Sequence, residues 1–317
     1  MALIEIEHLK KYFPSPRGTV HAVDDVSFSI EEGTTMGLVG ESGCGKSTLG
    51  RTIIHLLDST DGVIRFNGED VTNPDKRKMR ELRENMQIIF QDPYSSLDPR
   101  MTVMDTIVEP LRLSKRYDKK TIEKEAERLM DLAGIEKRLR MSYPHELDGG
   151  RRQRVGIARA LALNPKFVVC DEPVSALDVS IQAQILNLLM DLQKEYKLTY
   201  IFVTHDLSVV RHISTHICVM YLGQMVETSD TDELFLHPYH PYTKALLSAI
   251  PTTNIHEIKE RIILKGEITS PIDPKPGCRF AKRCPYATEK CSNPVEPIEV
   301  TKGHFVSCCN VKEINGL

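Results

Sequence analysis

Residues 40–47 read Gly-Glu-Ser-Gly-Cys-Gly-Lys-Ser, a complete phosphate-binding loop of the form G-x-x-x-x-G-K-S. Such a loop needs a buried strand before it and a helix after it. Met36-Gly37-Leu38-Val39 predicts that strand, and Thr48 to Ile54 predicts that helix. Gly40, Gly43 and Gly45, with Ser42 and Cys44 between them, let backbone N–H groups converge on phosphate oxygens without Cβ clashes. The helix start at Ser47 and Thr48 adds N–H donors outside the helix's own hydrogen-bond ladder and the positive end of the helix dipole. Lys46 supplies a point charge to the outer phosphates, and Ser47 places a hydroxyl where a Mg²⁺ ligand is needed. The pattern implies a chain that binds a nucleoside triphosphate.

The remaining sequence supplies the rest of an α/β architecture. Residues 3–9 and 26–30 predict short strands around a loop from Pro14 to Gly18, and Met86 to Phe90 predicts another strand. Residues 102–141 are helical in pattern and heavily charged. Lys166 to Cys170 is an apolar run of strand length that ends in Asp171-Glu172-Pro173. Apolar residues at 181, 185, 188, 189, 192 and 196 have helical spacing, with Asp178 or Ser180 as the expected cap. Tyr200 to Val203 predicts a buried strand, and residues 216–228 predict two strands about Leu222-Gly223. Alternating strands and helices, with polar residues just past the strand ends, predict a mostly parallel sheet with its ligand at the carboxyl ends of the strands. Beyond about residue 235 prolines become frequent and the periodicity weakens, which predicts a second, smaller unit.

Composition narrows the class. With 317 residues, 27% of them charged and 41% hydrophobic, the chain reads as an ordinary folded protein of roughly two domains. A net charge of −3 gives no sign of a nucleic-acid surface, and the basic run Lys76 to Arg80 is expected to be a solvated helix face. No apolar run approaches the ~18 residues of a membrane span, and no secretory signal opens the chain. The expectation is a soluble, cytoplasmic chain that reaches a membrane only through another subunit.

Phosphoryl hydrolysis needs a metal held near the phosphates and an oriented water. The strand ending at Asp171 delivers a carboxylate to the magnesium shell, and Glu172 can polarise the attacking water. These motifs together resemble the nucleotide-binding subunit of an ABC transporter, in order along nearly the whole chain. Gln91, in Phe90-Gln91-Asp92-Pro93, matches the family's Q-loop, which lends an oxygen to Mg²⁺ and links to the membrane subunit. Leu147-Asp148-Gly149-Gly150-Arg151 stands at the position of the LSGGQ signature, and Asp171-Glu172 at the Walker B pair. Ser175 to Asp178 matches the D-loop, His205 the switch histidine, and Phe13, with Tyr12 second, the adenine-stacking aromatic. The resemblance implies an ABC-type P-loop domain over residues 1–235, with a mostly parallel core sheet, an antiparallel β subdomain and a helical subdomain over about 93–160. It also implies head-to-tail pairing, in which Asp148, Gly149 and Gly150 meet ATP held by the partner. Asp148 stands where the family has serine, and Arg151 where it has glutamine. Asp is a good helix N-cap, but it also turns a carboxylate toward the γ-phosphate.

Five of the eight cysteines, Cys278, Cys284, Cys291, Cys308 and Cys309, crowd the last 40 residues. In a reducing compartment such a crowd suggests metal rather than disulfides. Intervening lengths of 5, 6 and 16 residues do not match the short knuckles of structural zinc. They suit an iron–sulfur cluster, with zinc or free thiols as the alternatives. His237 to Thr243 reads His-Pro-Tyr-His-Pro-Tyr-Thr, and with the Cys-Pro pair it resembles the C-terminal extension of the dipeptide and oligopeptide importers. That resemblance implies a small Cys-rich domain over 236–317 holding a 4Fe–4S cluster on Cys278, Cys284, Cys291 and Cys308. It also implies ATP-driven peptide import from the cytoplasmic face of the membrane. The partners it implies are two permease subunits, a second ATP-binding subunit and an extracytoplasmic peptide-binding protein; the Asp148 carboxylate, opposing a symmetric pair, favours a heterodimer. A nickel or other small-solute importer is the alternative in the same class, and a soluble non-transport ABC ATPase the alternative of another class.

Overall fold

The computed structural model describes residues 2–114, 116–251, 261–266 and 269–317. In chain order the elements begin with β1 (Ala2–Ser15), β2 (Gly18–Glu31), β3 (Thr35–Val39), α1 (Lys46–Ile53), β4 (Asp61–Phe66) and β5 (Glu69–Asp70). Next come α2 (Lys76–Asn85), β6 (Met86–Ile89), α3 (Pro93–Ser96), α4 (Val103–Ser114), α5 (Lys119–Leu132) and α6 (Gly149–Leu161). They are followed by β7 (Phe167–Asp171), α7 (Val179–Tyr196), β8 (Thr199–Val203), α8 (Leu207–Ile213), β9 (His216–Tyr221) and β10 (Gln224–Asp230). The last are α9 (Thr231–Leu236), α10 (Pro241–Ser248), β11 (Ile298–Thr301), β12 (His304–Val306) and α11 (Val311–Asn315).

The chain divides into two compact units. One contains Glu31–Gly33 and Asn73–Val203. Its strands lie in the order β8-β7-β6, all parallel, with Phe167 opposite Thr199 and Met86 opposite Phe167. Every residue of β7 and β8 is buried, as expected for strands covered on both faces. Helix α6 packs against α3, α4 and α5. The charged stretch over 102–141 is not one helical run. Gly134, at φ 66, stands just beyond α5 in the left-handed conformation that ends helices, and only a 3₁₀ turn at Lys137–Leu139 follows. Asp178 stands at the N-cap of α7 but makes no side-chain cap bond.

The other unit contains Ala2–Ile30, Thr34–Thr72 and Thr204–Leu317. It holds a four-stranded sheet in the order β2-β1-β4-β5 and, separately, strands in the order β11-β12-β10-β9-β3. β3 runs parallel to β9, while β9 and β10 form the expected hairpin. Leu222 and Gly223, at φ 44 and 82, give its two-residue turn the left-handed pair such hairpins need. β1 and β2 are much longer than the short strands expected, and the predicted Pro14–Gly18 loop shrinks to a turn at Pro16-Arg17. Each strand carries one non-glycine left-handed residue, His8 at φ 50 and Asp25 at φ 59, and β1 shifts register between Glu7 and Lys10. Those irregularities interrupt the alternation of inward and outward residues that sequence reading depends on. Residues from the tail extend the second set of strands: β12 pairs with β10, Glu227 standing opposite Val306.

Candidate nucleotide site and thiol cavity

The phosphate loop forms where the sequence places it. β3 is buried throughout and ends at Val39, the loop follows, and α1 begins at Lys46. Gly45 is the N-cap of α1 at φ 105, and a Cβ there would fall 2.0 Å from the Ala22 carbonyl oxygen, so only glycine fits. Ser42 and Gly43 are exposed, while Cys44 and Lys46 are buried. Lys46 Nζ donates to the carbonyls of Gly40 at 2.8 Å and Glu41 at 3.0 Å. Its charge is thus held at the loop, with Gly40, Ser47 and Thr48 bracketing it in sequence. Burial raises the Cys44 thiol above its ordinary pKa and outweighs the opposing pull of Lys46. In the same unit Tyr12 stacks on His21 with ring centroids 4.0 Å apart, and its hydroxyl donates to Asp24. Phe13, the adjacent residue on β1, is half-buried and has the Lys11 ammonium 4.9 Å from its ring centroid. His205 is exposed, two residues past the end of β8.

The other unit carries the carboxylates and the signature. Asp171, the last residue of β7, is fully buried. Glu172 follows at φ 46, an unfavourable conformation for a residue with a side chain, fixed by its N–H donating to Val203 O at 3.0 Å. Gln91 Nε2 donates to Glu172 Oε2 at 2.8 Å, so the structure brings these two predicted residues together. Asp148 caps α6, its Oδ1 accepting from the Arg151 N–H at 2.8 Å. The Arg151 guanidinium lies 3.4 Å from Asp148 Oδ2 and 3.0 Å from Glu136 Oε1. Gly149 and Gly150 open the helix, and a Cβ on Gly150 would fall 2.6 Å from Ile181 Cγ2.

In the tail, all five cysteines, Cys278, Cys284, Cys291, Cys308 and Cys309, line one cavity with His240, Phe280 and Tyr286. Cys291 Sγ lies 3.6 Å from Cys309 Sγ, and all five are free thiols. Burial pushes Cys278 up to about 11 and Cys308 up to about 12. Burial opposes ionisation of Cys291 as well, but the Thr288 N–H and the Cys309 thiol together lower it. Among the described residues no three His, Cys, Asp or Glu side chains converge as ligands to one metal ion. Sequence spacing could not separate Cys308 from Cys309, since both reach the cavity.

The His-Pro-Tyr run is tied down by Glu227, a fully buried carboxylate on β10. Glu227 accepts from the N–H groups of Tyr239 at 2.7 Å and His240 at 3.0 Å, and from His304 Nε2 at 2.8 Å. Burial pushes His240 down to about 4, so it is neutral, and its Nδ1 accepts from the Tyr242 N–H at 3.1 Å. Nothing in the run itself signals these contacts, because Glu227 and His304 lie far from it or from each other along the chain.

Comparison with known proteins agrees with both halves of the pattern. Residues 23–175 match the family described as ABC transporter, and residues 226–291 match that described as oligopeptide/dipeptide transporter, C-terminal region. The oligopeptide transport ATP-binding protein AppF of Bacillus subtilis is 49% identical, covering 96% of each chain. OppF of the same organism is 51% identical, again covering 96% of each. OppF of Salmonella typhimurium is 47% identical, covering 97% of this chain and 93% of its own. Among solved structures, the dimeric post-hydrolysis state of the ATP-binding cassette MJ0796 bound to ADP and Pi aligns with a TM-score of 0.66 at 29% identity. It covers 72% of this chain and 98% of that one. CbiO1 of Clostridium perfringens, part of the cbiONQ transporter complex, aligns with a TM-score of 0.66 at 28% identity, covering 74% and 91%.

Proposed function

Since the chain belongs to the ABC transporter ATP-binding family, in its oligopeptide and dipeptide branch, we propose that it hydrolyses ATP to power import of short peptides through a membrane permease. The observation that carries this reading is full-length identity near one half to oligopeptide transport ATP-binding proteins. It extends over both the nucleotide-binding part and the His-Pro-Tyr tail, and it favours peptide over nickel as cargo. No helix among the described residues is long and apolar enough to cross a membrane. As an ATP-binding subunit of this family, the chain is assigned to the cytoplasmic face, against two permease subunits fed by an extracytoplasmic peptide-binding protein.

Residue roles follow from chemistry. The N–H groups from Gly43 to Thr48 and the Lys46 ammonium bind phosphate. Ser47, Gln91 and Asp171 would hold Mg²⁺, which neutralises the charge that develops on the transferred phosphoryl group. Glu172 orients and polarises the attacking water, and His205 contacts the γ-phosphate. For the adenine we assign Tyr12 ahead of Phe13. Tyr12 is anchored through Asp24, whose N–H donates to Gly223 O at 2.8 Å, and Gly223 Cα lies 3.5 Å from the ideal Cβ position of Gly45. Lys46→Ala in the assembled transporter should abolish ATP binding and, in right-side-out vesicles loaded with ATP, peptide uptake together. Wild-type uptake by that variant would sink the assignment.

For the thiol cavity we infer a polynuclear iron–sulfur centre on Cys278, Cys284, Cys291 and either Cys308 or Cys309. Support comes from the five thiols lining one cavity and from cysteine spacings unlike the short knuckles of structural zinc. When bound, such a centre supplies cross-links within a Pro-rich segment of little apolar content, and so folding free energy. Anaerobically purified protein should contain about four iron and four sulfide per chain. Cys284→Ser should lose them and make the tail sensitive to protease while ATP binding survives. Stoichiometric zinc without sulfide would overturn the cluster.

A further inference from the structure

The segment Cys278-Arg279-Phe280-Ala281-Lys282-Arg283-Cys284 has two faces. Its cysteines line the thiol cavity, while its two arginines reach elements around the phosphate loop. Arg279 donates to Leu222 O and pairs with Asp24, the carboxylate that holds Tyr12. Arg283 donates to both carboxylate oxygens of Glu41, Nη1 to Oε2 at 2.7 Å and Nη2 to Oε1 at 3.1 Å. The pair is well sheltered, with the Arg283 side chain 9% and Glu41 27% exposed.

Glu41 is the second residue of the phosphate loop, and the tail holds it at a second point. Its N–H donates to the Tyr242 hydroxyl at 2.9 Å. Tyr242 is buried in an aromatic group with Tyr221, 4.8 Å away, and Phe280, 5.4 Å away. Glu41's carbonyl accepts from Lys46 Nζ at 3.0 Å. The N–H, the carbonyl and the carboxylate of this one residue are therefore all engaged, two of them by the C-terminal region.

We propose that Tyr242 and Arg283 are positioning residues for nucleotide binding: they fix Glu41, and through it the shape of the phosphate loop and the place of Lys46. This rests on the reading that the loop binds ATP. A loop with glycines at 40, 43 and 45 has many accessible conformations. A ligand that fits one of them binds more weakly in proportion to the fraction of time that one is populated. Two sheltered anchors on Glu41 raise that fraction before ATP arrives. The His-Pro-Tyr run thereby gains a function: the Glu227 network places α10 so that the Tyr242 hydroxyl meets the loop.

The test is equilibrium titration of the full-length chain with a fluorescent ATP analogue and Mg²⁺, alongside thermal unfolding. Tyr242→Phe keeps the ring packing and removes only the acceptor, and should weaken binding about fivefold. Arg283→Gln should weaken it by about tenfold, with Arg283→Lys in between because it keeps the charge but not the bidentate geometry. A purely structural role would lower the melting temperature without this graded change in affinity. Wild-type affinity in both Tyr242→Phe and Arg283→Gln overturns the proposal; if Arg283→Gln does not fold, Tyr242→Phe decides alone. A native chain that binds no nucleotide removes the ATP reading and this proposal with it.

Discussion

Glu172→Gln should lower ATP turnover in the assembled transporter by at least about a hundredfold, the scale of a lost general base, while ATP binding persists. Glu172 sits immediately after the buried strand β7 in a left-handed conformation, φ 46, and its carboxylate accepts from Gln91 at 2.8 Å. Glutamine has the same shape and keeps an oxygen to accept that bond, so the local structure should survive. What disappears is the negative charge that polarises water. Binding depends on Lys46 and the loop N–H groups, which the substitution does not touch. A trapped, ATP-loaded closed pair of ATP-binding subunits is the expected consequence, visible as nucleotide that stays with the transporter through size exclusion in Mg²⁺. Turnover at the wild-type rate would show that another group activates the water.

How far the sequence reaches is clearest around Glu41. The phosphate loop was legible because it is local: eight consecutive residues fix the turn, and the strand and helix beside it follow from apolar runs. The β9–β10 hairpin was legible for the same reason, since Leu222-Gly223 marks a turn directly after the apolar run of β9. The anchors on Glu41 were not. Tyr242 lies 201 positions away and Arg283 242 positions away, and such pairings leave no periodic trace in the chain. The long strands β1 and β2 were hidden for another reason. His8 and Asp25 take left-handed conformations inside them and face each other at 2.7 Å, so the strands bend where the pattern breaks. In the tail, Cys308 and Cys309 are adjacent, and only three-dimensional placement shows both at the cavity.

The signature carries the second large effect. Asp148 and Arg151 stand where the family pattern has serine and glutamine, and their geometry limits what they can do. Asp148 is largely exposed and spends Oδ1 on the helix cap. Arg151 offsets its charge in part, because the same guanidinium also pairs with Glu136. A carboxylate about 4 Å from a γ-phosphate charge at an effective dielectric of about 20 is opposed by about 4 kcal/mol, and solvent and Arg151 reduce that to a net of about 1–2 kcal/mol. In a symmetric pair of this chain the repulsion is incurred at both ATP sites. In a pair with a second ATP-binding subunit that carries serine there, it is incurred once. We therefore propose that the chain works in a heterodimer with one strong and one weak site. Asp148→Ser offers a clean test, since serine caps a helix about as well as aspartate and removes only the charge. In the Glu172→Gln background, where ATP is not consumed, Asp148→Ser relieves both sites and should tighten ATP-driven homodimerisation by about thirtyfold to a thousandfold. The gain should shrink at high salt, as an exposed charge effect must. Equal dimerisation with aspartate or serine at 148, measured by analytical ultracentrifugation in saturating ATP, would remove the electrostatic argument for a heterodimer.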